Sequence, residues 1–281
     1  MEIERAQELG LCFGVRQAIK LLRKAASKYG RIETLGPVAH NRQLVQGLTA
    51  VGVEMVDSLD LVQGTALAIP AHGVSPEVLS EIEARHIRII DTTCPIVRKA
   101  QNAAEGLAKA GFTVVIFGEA EHSEVKGLLG WARGQGIAVC DVKEINTSRH
   151  LSRLGIMSQT TQNHSAFVEF TKQVMATFSS KIKEMRIINT LCKATKRRQE
   201  AAVRLAKRSE LMLVLGGYNS ANTRRLFEVC SSIVETQLIE TADEVKASWL
   251  TGKERVGVTA GASTPDEAIE ELLVRLKSYS R

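Results

Sequence analysis

An α/β fold repeated three times is written into this 281-residue chain. Three cysteines, Cys12, Cys94 and Cys192, each end a short apolar strand pattern and open an alanine-rich helical one (IERAQELGLCFGVRQAI, IRIIDTTCPIVRKAQNAA, MRIINTLCKATKRRQEAA). Each is followed 24 residues later by a glycine that breaks the next strand: Gly36, Gly118 and Gly216. Strand and helix patterns alternate throughout, and most strand runs are continuously apolar. That is the signature of mostly parallel sheets covered on both faces. Repetition of this kind decides the architecture. Copies of about 80–100 residues have the size of compact lobes rather than solenoid units. The reading is therefore three similar lobes around a pseudo-threefold axis, with the cysteines meeting near it. The lobes are placed at residues 13–95, 96–191 and 192–281, with residues 1–12 as a strand completing the ring.

The elements follow in order. Strands are predicted at Ile32–Leu35, Val53–Val56, Ala66–Ile69, Ile87–Ile90, Thr113–Phe117, Ile137–Val139, Leu154–Met157, Arg186–Ile188, Leu211–Leu215, Ile233–Glu235 and Val256–Thr259. Each is a short apolar run bounded by turn residues. Helical periodicity covers Val15–Lys28, Pro95–Ala110, Ala166–Phe178, Ala194–Lys207 and Pro265–Lys277. Ser75-Pro76 and Thr264-Pro265 read as helix starts, with the hydroxyl as N-cap and proline at N1. No low-complexity linker separates the copies, so tight packing between lobes is expected.

Composition narrows the function classes. Hydrophobic residues make up 44% and charged residues 24%, as in an ordinary globular protein. The net charge of +6 suits either a solvated basic surface or a meeting with an anionic substrate or acidic electron carrier. Aromatics are only 4%, and no basic run is interleaved with them, so nucleic acid is not an expected partner. No apolar run of about 18 residues suggests a membrane span. The start, MEIERAQELG, lacks the regions of a signal peptide. A cytoplasmic protein is expected, where an odd set of five cysteines argues against a disulfide framework. Cys140 and Cys230, in apolar contexts, read as buried thiols acting as small hydrophobes.

Parallel sheets present ligands at the loops after their strands. Besides the cysteines, these loops carry His40, His72, His122, Glu124, Thr160, Asn219, Ser220, Asn222 and Ser263. Thiolates at helix N-termini are stabilised there and suit zinc or an iron–sulfur cluster. Structural thiols and redox cysteines remain open alternatives. Three thiolates on a four-iron cluster would leave one iron without a protein ligand. A lone loop histidine usually does structural work; three on equivalent loops form an anion-binding rim. The Asn and Ser side chains add donors for phosphate oxygens. Glu124 is the candidate proton donor, against the plain reading of an exposed helix-start glutamate.

Taken in order, GLCFGVRQAI, GPVAHN, AHGV, DTTCP, HSEVKG, SQTT, NTLCKAT..RQ, NSANT and GVTAGAST resemble the 4-hydroxy-3-methylbut-2-enyl diphosphate reductase (IspH/LytB) family, from Leu9 to Pro265. The resemblance implies a trefoil of three α/β lobes around a central [4Fe–4S] cluster held by Cys12, Cys94 and Cys192. It implies an allylic alcohol diphosphate as substrate and loss of its hydroxyl as water with two electrons and protons, in the non-mevalonate isoprenoid pathway. The products are isopentenyl and dimethylallyl diphosphates. Glu124 would supply the proton, with Thr160 and His122 in its relay. His40, His72, Ser220, Asn222 and Ser263 would grip the diphosphate, and ferredoxin or flavodoxin would supply electrons. The chain departs from the family pattern at Ala221, where a serine is common, at Lys193, a frequent tyrosine, and at Asn189, a frequent aspartate. A hydro-lyase using an open-iron cluster and a metal- or redox-sensing protein are the competing readings.

Overall fold

Each sheet grows from a strand too apolar to face water on either side. The computed structural model describes residues 1–39, 41–145 and 151–279. The chain opens with β1 (Glu2–Arg5) and α1 (Phe13–Tyr29). It continues through β2 (Ile32–Leu35), α2 (Arg42–Thr49), β3 (Val53–Val56), β4 (Ala66–Ile69), α3 (Pro76–Ala84) and β5 (Arg88–Asp91). The second passage is α4 (Pro95–Lys109), β6 (Thr113–Phe117), α5 (Ser123–Trp131), β7 (Gly136–Val139), β8 (Arg153–Ser158), α6 (His164–Phe178) and β9 (Glu184–Ile187). The third is α7 (Lys193–Ala206), β10 (Leu211–Leu215), α8 (Ala221–Ser231), β11 (Thr236–Ile239), the single turn α9 (Ala247–Leu250), β12 (Arg255–Ala260) and α10 (Asp266–Ser278).

Among the described residues these strands make three four-stranded, wholly parallel sheets, ordered β3-β2-β4-β5, β7-β6-β8-β9 and β11-β10-β12-β1. The orders are equivalent, and β1 fills the fourth position of the third sheet, with Glu2 opposite Arg255 and Arg5 opposite Val258. In all three sheets the fourth strand runs on to a cysteine. The repetition extends to single hydrogen bonds. Cys12, Cys94 and Cys192 donate their backbone N–H to Ala262, Ala71 and Thr160, each at 2.9 Å. Gly36, Gly118 and Gly216 donate theirs to Val56, Val139 and Ile239 at 2.8–3.0 Å.

Period-two alternation on the central strands feeds two cores per sheet. Val115 and Phe117 of β6 meet Phe167, Phe170 and Val174 of α6, whereas Val114 and Ile116 meet Ala100, Ala104 and Leu128 of α4 and α5. Leu211, Leu213 and Leu215 of β10 likewise pack on α10, and Met212 and Val214 on α7 and α8. Each such fully buried side chain contributes roughly 1.5–3 kcal/mol relative to exposure. On α1, Val15, Ala18, Leu22 and Ala25 form the buried stripe at helical spacing. Two-sided coverage does not extend to the fourth strands: β1, β5 and β9 are edges, half-buried or exposed along their length.

Most elements lie within two residues of their predicted positions. The exceptions have local causes. The strand expected at Ile233–Glu235 begins at Thr236, because Ile233 and Val234 bond back to the Cys230 carbonyl and finish α8. Thr264 does not cap α10; its hydroxyl donates to Leu215 O, and Pro265 takes the cap position. Ser75 does cap α3, with Pro76 at its start. Cys230 is buried as expected, but Cys140 is exposed, one residue beyond the edge strand β7.

Candidate active site

Three helices begin at the three cysteines. Cys12, Cys94 and Cys192 are the N-caps of α1, α4 and α7, where unpaired N–H groups and the helix dipole favour negative charge. The Cys12 sulfur accepts from Val15 N, whereas the Cys94 sulfur makes no capping hydrogen bond. Burial pushes the Cys94 thiol up, and the neighbouring Cys12 and Cys192 charges add to the rise. All three sulfur-bearing side chains line one cavity.

Gly14 keeps a hollow open beside two of them. A Cβ at Gly14 would lie 2.6 Å from Cys94 Sγ and 3.9 Å from Cys12 Sγ, so only glycine leaves the hollow between these sulfurs clear. Among the described residues no three His, Cys, Asp or Glu side chains converge on a single-ion position. A polynuclear group, in which each thiolate binds its own iron, does not require that convergence.

The sulfurs open onto a cavity to which all three sheets contribute. Its described lining contains one carboxylate, Glu124, and neither lysine nor arginine. Glu124, 3% exposed, sits in the first turn of α5. Thr160 binds both its oxygens: the backbone N–H reaches Oε1 at 2.7 Å, and the hydroxyl lies 2.8 Å from Oε2. Burial raises the Glu124 pKa, against the lowering effect of these two bonds. His122 caps α5, its Nδ1 accepting from Glu124 N at 3.1 Å, so the neutral ring carries its proton on Nε2.

The cavity is also lined by neutral polar groups. Ser220 caps α8, accepting from Thr223 N at 3.3 Å. Asn222 is buried, yet both its amide nitrogen and oxygen lack a hydrogen-bond partner. Such groups are costly to bury unless a ligand completes them. Ser263 and His72 also line the cavity, and His72 Nδ1 lies 3.0 Å from Gly73 O. With the N-terminus of α8 behind Ser220, these groups suit an anion.

The structure thus brings Cys12, Cys94, Cys192, His72, His122, Glu124, Thr160, Ser220, Asn222 and Ser263 to one cavity; His40 lies outside the described residues. Asn219 is not among the lining residues, whereas Ala221 is. Asn189 keeps the role of its counterpart: Asp91 Oδ1 accepts from Thr93 N, and Asn189 Oδ1 from Leu191 N, an acceptor that amide and carboxylate both supply. Lys193 is exposed. Gly14, Thr161 and Thr195 were not singled out by the sequence reading. Thr195 stands one helical turn after Cys192 on α7, and that i+3 spacing was the available signal.

The profile of the family described as LytB protein matches residues 3–277. This chain belongs to that family. Relatives span it end to end. The 4-hydroxy-3-methylbut-2-enyl diphosphate reductase of Dehalococcoides mccartyi (strain CBDB1) is 46% identical over 100% of this chain and 99% of its own. That of Geobacter sulfurreducens is 41% identical over 99% and 98%. A solved structure of (E)-4-hydroxy-3-methyl-but-2-enyl diphosphate reductase, titled as the terminal enzyme of the non-mevalonate pathway, is 38% identical. It matches 99% of this chain and 100% of its own with a TM-score of 0.72. A Plasmodium falciparum reductase structure, 24% identical, shares the family fold with a TM-score of 0.91 over 98% of this chain and 87% of its own.

Proposed function

We propose that this chain is a 4-hydroxy-3-methylbut-2-enyl diphosphate reductase of the non-mevalonate pathway, yielding isopentenyl and dimethylallyl diphosphates. One observation supports this above others: a single cavity joins three helix-capping cysteines, a buried carboxylic acid and neutral groups suited to an anion. Cys12, Cys94 and Cys192 would hold a [4Fe–4S] cluster, whose donor set and hollow at Gly14 they fit. When bound, the cluster supplies electrons and an iron without a protein ligand as Lewis acid toward the substrate hydroxyl.

The chain's own residues do the rest. Ser220, Asn222, Ser263, His72 and the α8 N-terminus hold the diphosphate, with His40 as a further candidate. This fixes the allylic hydroxyl toward the cysteines. Glu124, whose burial favours the protonated acid, passes a proton through the Thr160 hydroxyl, which donates to Oε2 at 2.8 Å and can turn to accept from it while donating into the cavity. The leaving hydroxyl departs as water. Balance requires two electrons and two protons per substrate, one proton for the water and one for the allylic carbon. His122 orients the start of α5 and hence Glu124. The apolar walls, Val15, Val38, Ile96 and Val97 among them, keep bulk water from the reacting carbon chain.

We extend this proposal to a cytoplasmic enzyme with ferredoxin or flavodoxin as electron donor, an acidic carrier that the net charge of +6 suits. Separately, no described helix is long and apolar enough to cross a membrane. The test is iron and acid-labile sulfide per chain after anaerobic purification, followed by turnover with and without reductant. About four of each, lost in Cys94→Ser, with turnover dependent on reductant, is the expected result. Zinc or no metal after reconstitution would overturn the assignment, and turnover without reductant would make the chain a hydro-lyase.

A further inference from the structure

Arg198 is a buried cation that makes no ion-pair contact with a carboxylate among the described residues. It lies on the second turn of α7, six residues after Cys192, and only 3% of it is exposed. Its neighbours on the helix are ordinary surface charges: Lys196 pairs with Glu200, and Arg197 with Glu8. Arg198 instead turns inward. Its Nη2 donates to Gly10 O at 2.7 Å, two residues before Cys12, so the side chain bridges the helix led by one cysteine and the segment presenting another. Nε and Nη1 have no hydrogen-bond partner.

The Cys12 sulfur, Glu8 and the Cys192 sulfur favour the charge of this guanidinium, and the neighbouring Arg197 opposes it. Burial disfavours its charge, but a guanidinium stays protonated in proteins. An uncompensated buried cation is strongly destabilising, so a fold that keeps one needs negative charge nearby. Three thiolates bring three negative charges, and every electron delivered to the group they hold adds another. Inside a low-dielectric interior a fixed cation favours the more negative state, and net local charge is one of the levers on a cluster's reduction potential.

We propose that Arg198 is the built-in counter-charge of the group held by Cys12, Cys94 and Cys192, and that it raises that group's reduction potential. It is a positioning residue acting through the cysteines, not one that touches substrate. The inference rests on the cluster reading above and assigns to one side chain the ease with which the site accepts an electron.

The experiment compares anaerobically reconstituted wild type with Arg198→Gln, which removes the charge but retains a donor for Gly10 O, and Arg198→Lys, which retains the charge. Each is titrated potentiometrically with redox dyes, read by visible absorption and electron paramagnetic resonance. At the wild-type midpoint, the reduced-to-oxidised ratio of the Gln variant should fall at least tenfold, a shift of about 59 mV to the negative for one electron. The Lys variant should stay within about threefold of wild type. If Gln fails to retain iron, retention by Lys under the same conditions supports the counter-charge, and loss from both overturns it. Equal shifts in Gln and Lys, or no shift in Gln, overturn it while leaving the reductase reading intact. A wild type that binds no iron overturns both.

Discussion

Replacing Glu124 by Gln tests the proton path with little disturbance of the fold. Thr160 N reaches Oε1 at 2.7 Å, so the Gln carbonyl can take that bond unchanged. The amide NH₂ then faces the Thr160 hydroxyl, which can turn to accept. Both contacts survive, and the structural cost stays below the ~1.5 kcal/mol net value of one hydrogen bond. The proton is gone, however. A positioned general acid contributes ~10²–10⁴-fold, so turnover should drop by that factor, about 2.7–5.5 kcal/mol at 1.36 kcal/mol per decade. KM should change little, because both Thr160 contacts of the side chain are kept and only its proton is lost. The assay is anaerobic single-turnover reduction, with iron content measured on the same samples. Wild-type turnover at full iron occupancy would refute the reasoning. The pH dependence has a definite sign. Burial raises the Glu124 pKa above its ordinary ~4.3, so the acid is competent below the raised value and turnover falls as pH rises through it. Its contribution to folding behaves the same way: fully present below ~4.3, lost as pH rises through the folded-state value. Melting temperatures of Glu124→Gln should lack that decline.

Three further outcomes are expected. Gly14→Ala puts a methyl 2.6 Å from Cys94 Sγ, in a helix that favours alanine over glycine by ~1 kcal/mol. Circular dichroism should therefore be unchanged while iron per chain after reconstitution falls severalfold; full iron content would show that the hollow is not needed. Glu119 on the β6–α5 loop accepts from Arg224 at 2.6 Å and Arg225 at 2.8 Å, tying the acid-bearing loop to α8. Glu119→Gln should lower kcat/KM by roughly fivefold, about 1 kcal/mol for partly exposed pairs, and high salt should bring wild type toward the variant. Ala221→Ser adds a hydroxyl to the cavity wall and should lower KM by up to about tenfold, the worth of one hydrogen bond; a marked rise would mean differently arranged anion-binding groups.

The cysteine–glycine register made the threefold plan legible because each copy needs the same local events, a strand end, a helix cap and a strand-breaking turn. Central strands such as Leu211–Leu215 could be read from their apolar runs, since burial on both faces leaves no other composition. The strand at Thr236–Ile239 was misplaced because its half-buried TQLI is less apolar than the Ile233-Val234 pair that finishes α8. Thr264 looked like a cap because capping is a local rule, whereas its bond to Leu215 is made across 49 residues. Arg198 was invisible for the same reason: within KATKRRQ it is one of several basic residues, and only the packing of α7 turns it inward while Lys196 and Arg197 face water.

The pairing of β1 with β12 sets a timetable for biosynthesis. Cys12 emerges from the ribosome early, but the partner of its backbone N–H, Ala262, is made 250 residues later. At ~5–20 residues per second, the first cysteine waits roughly 12–50 s for the strand and turn that fix it. The sheets carrying Cys94 and Cys192 can form meanwhile, but the third thiol reaches its place only when the C-terminal lobe closes on the N-terminal strand. On the proposed cluster reading, loading would wait for a chain whose C-terminal strand is in place, and a truncated product lacking β12 would hold its first thiol unanchored.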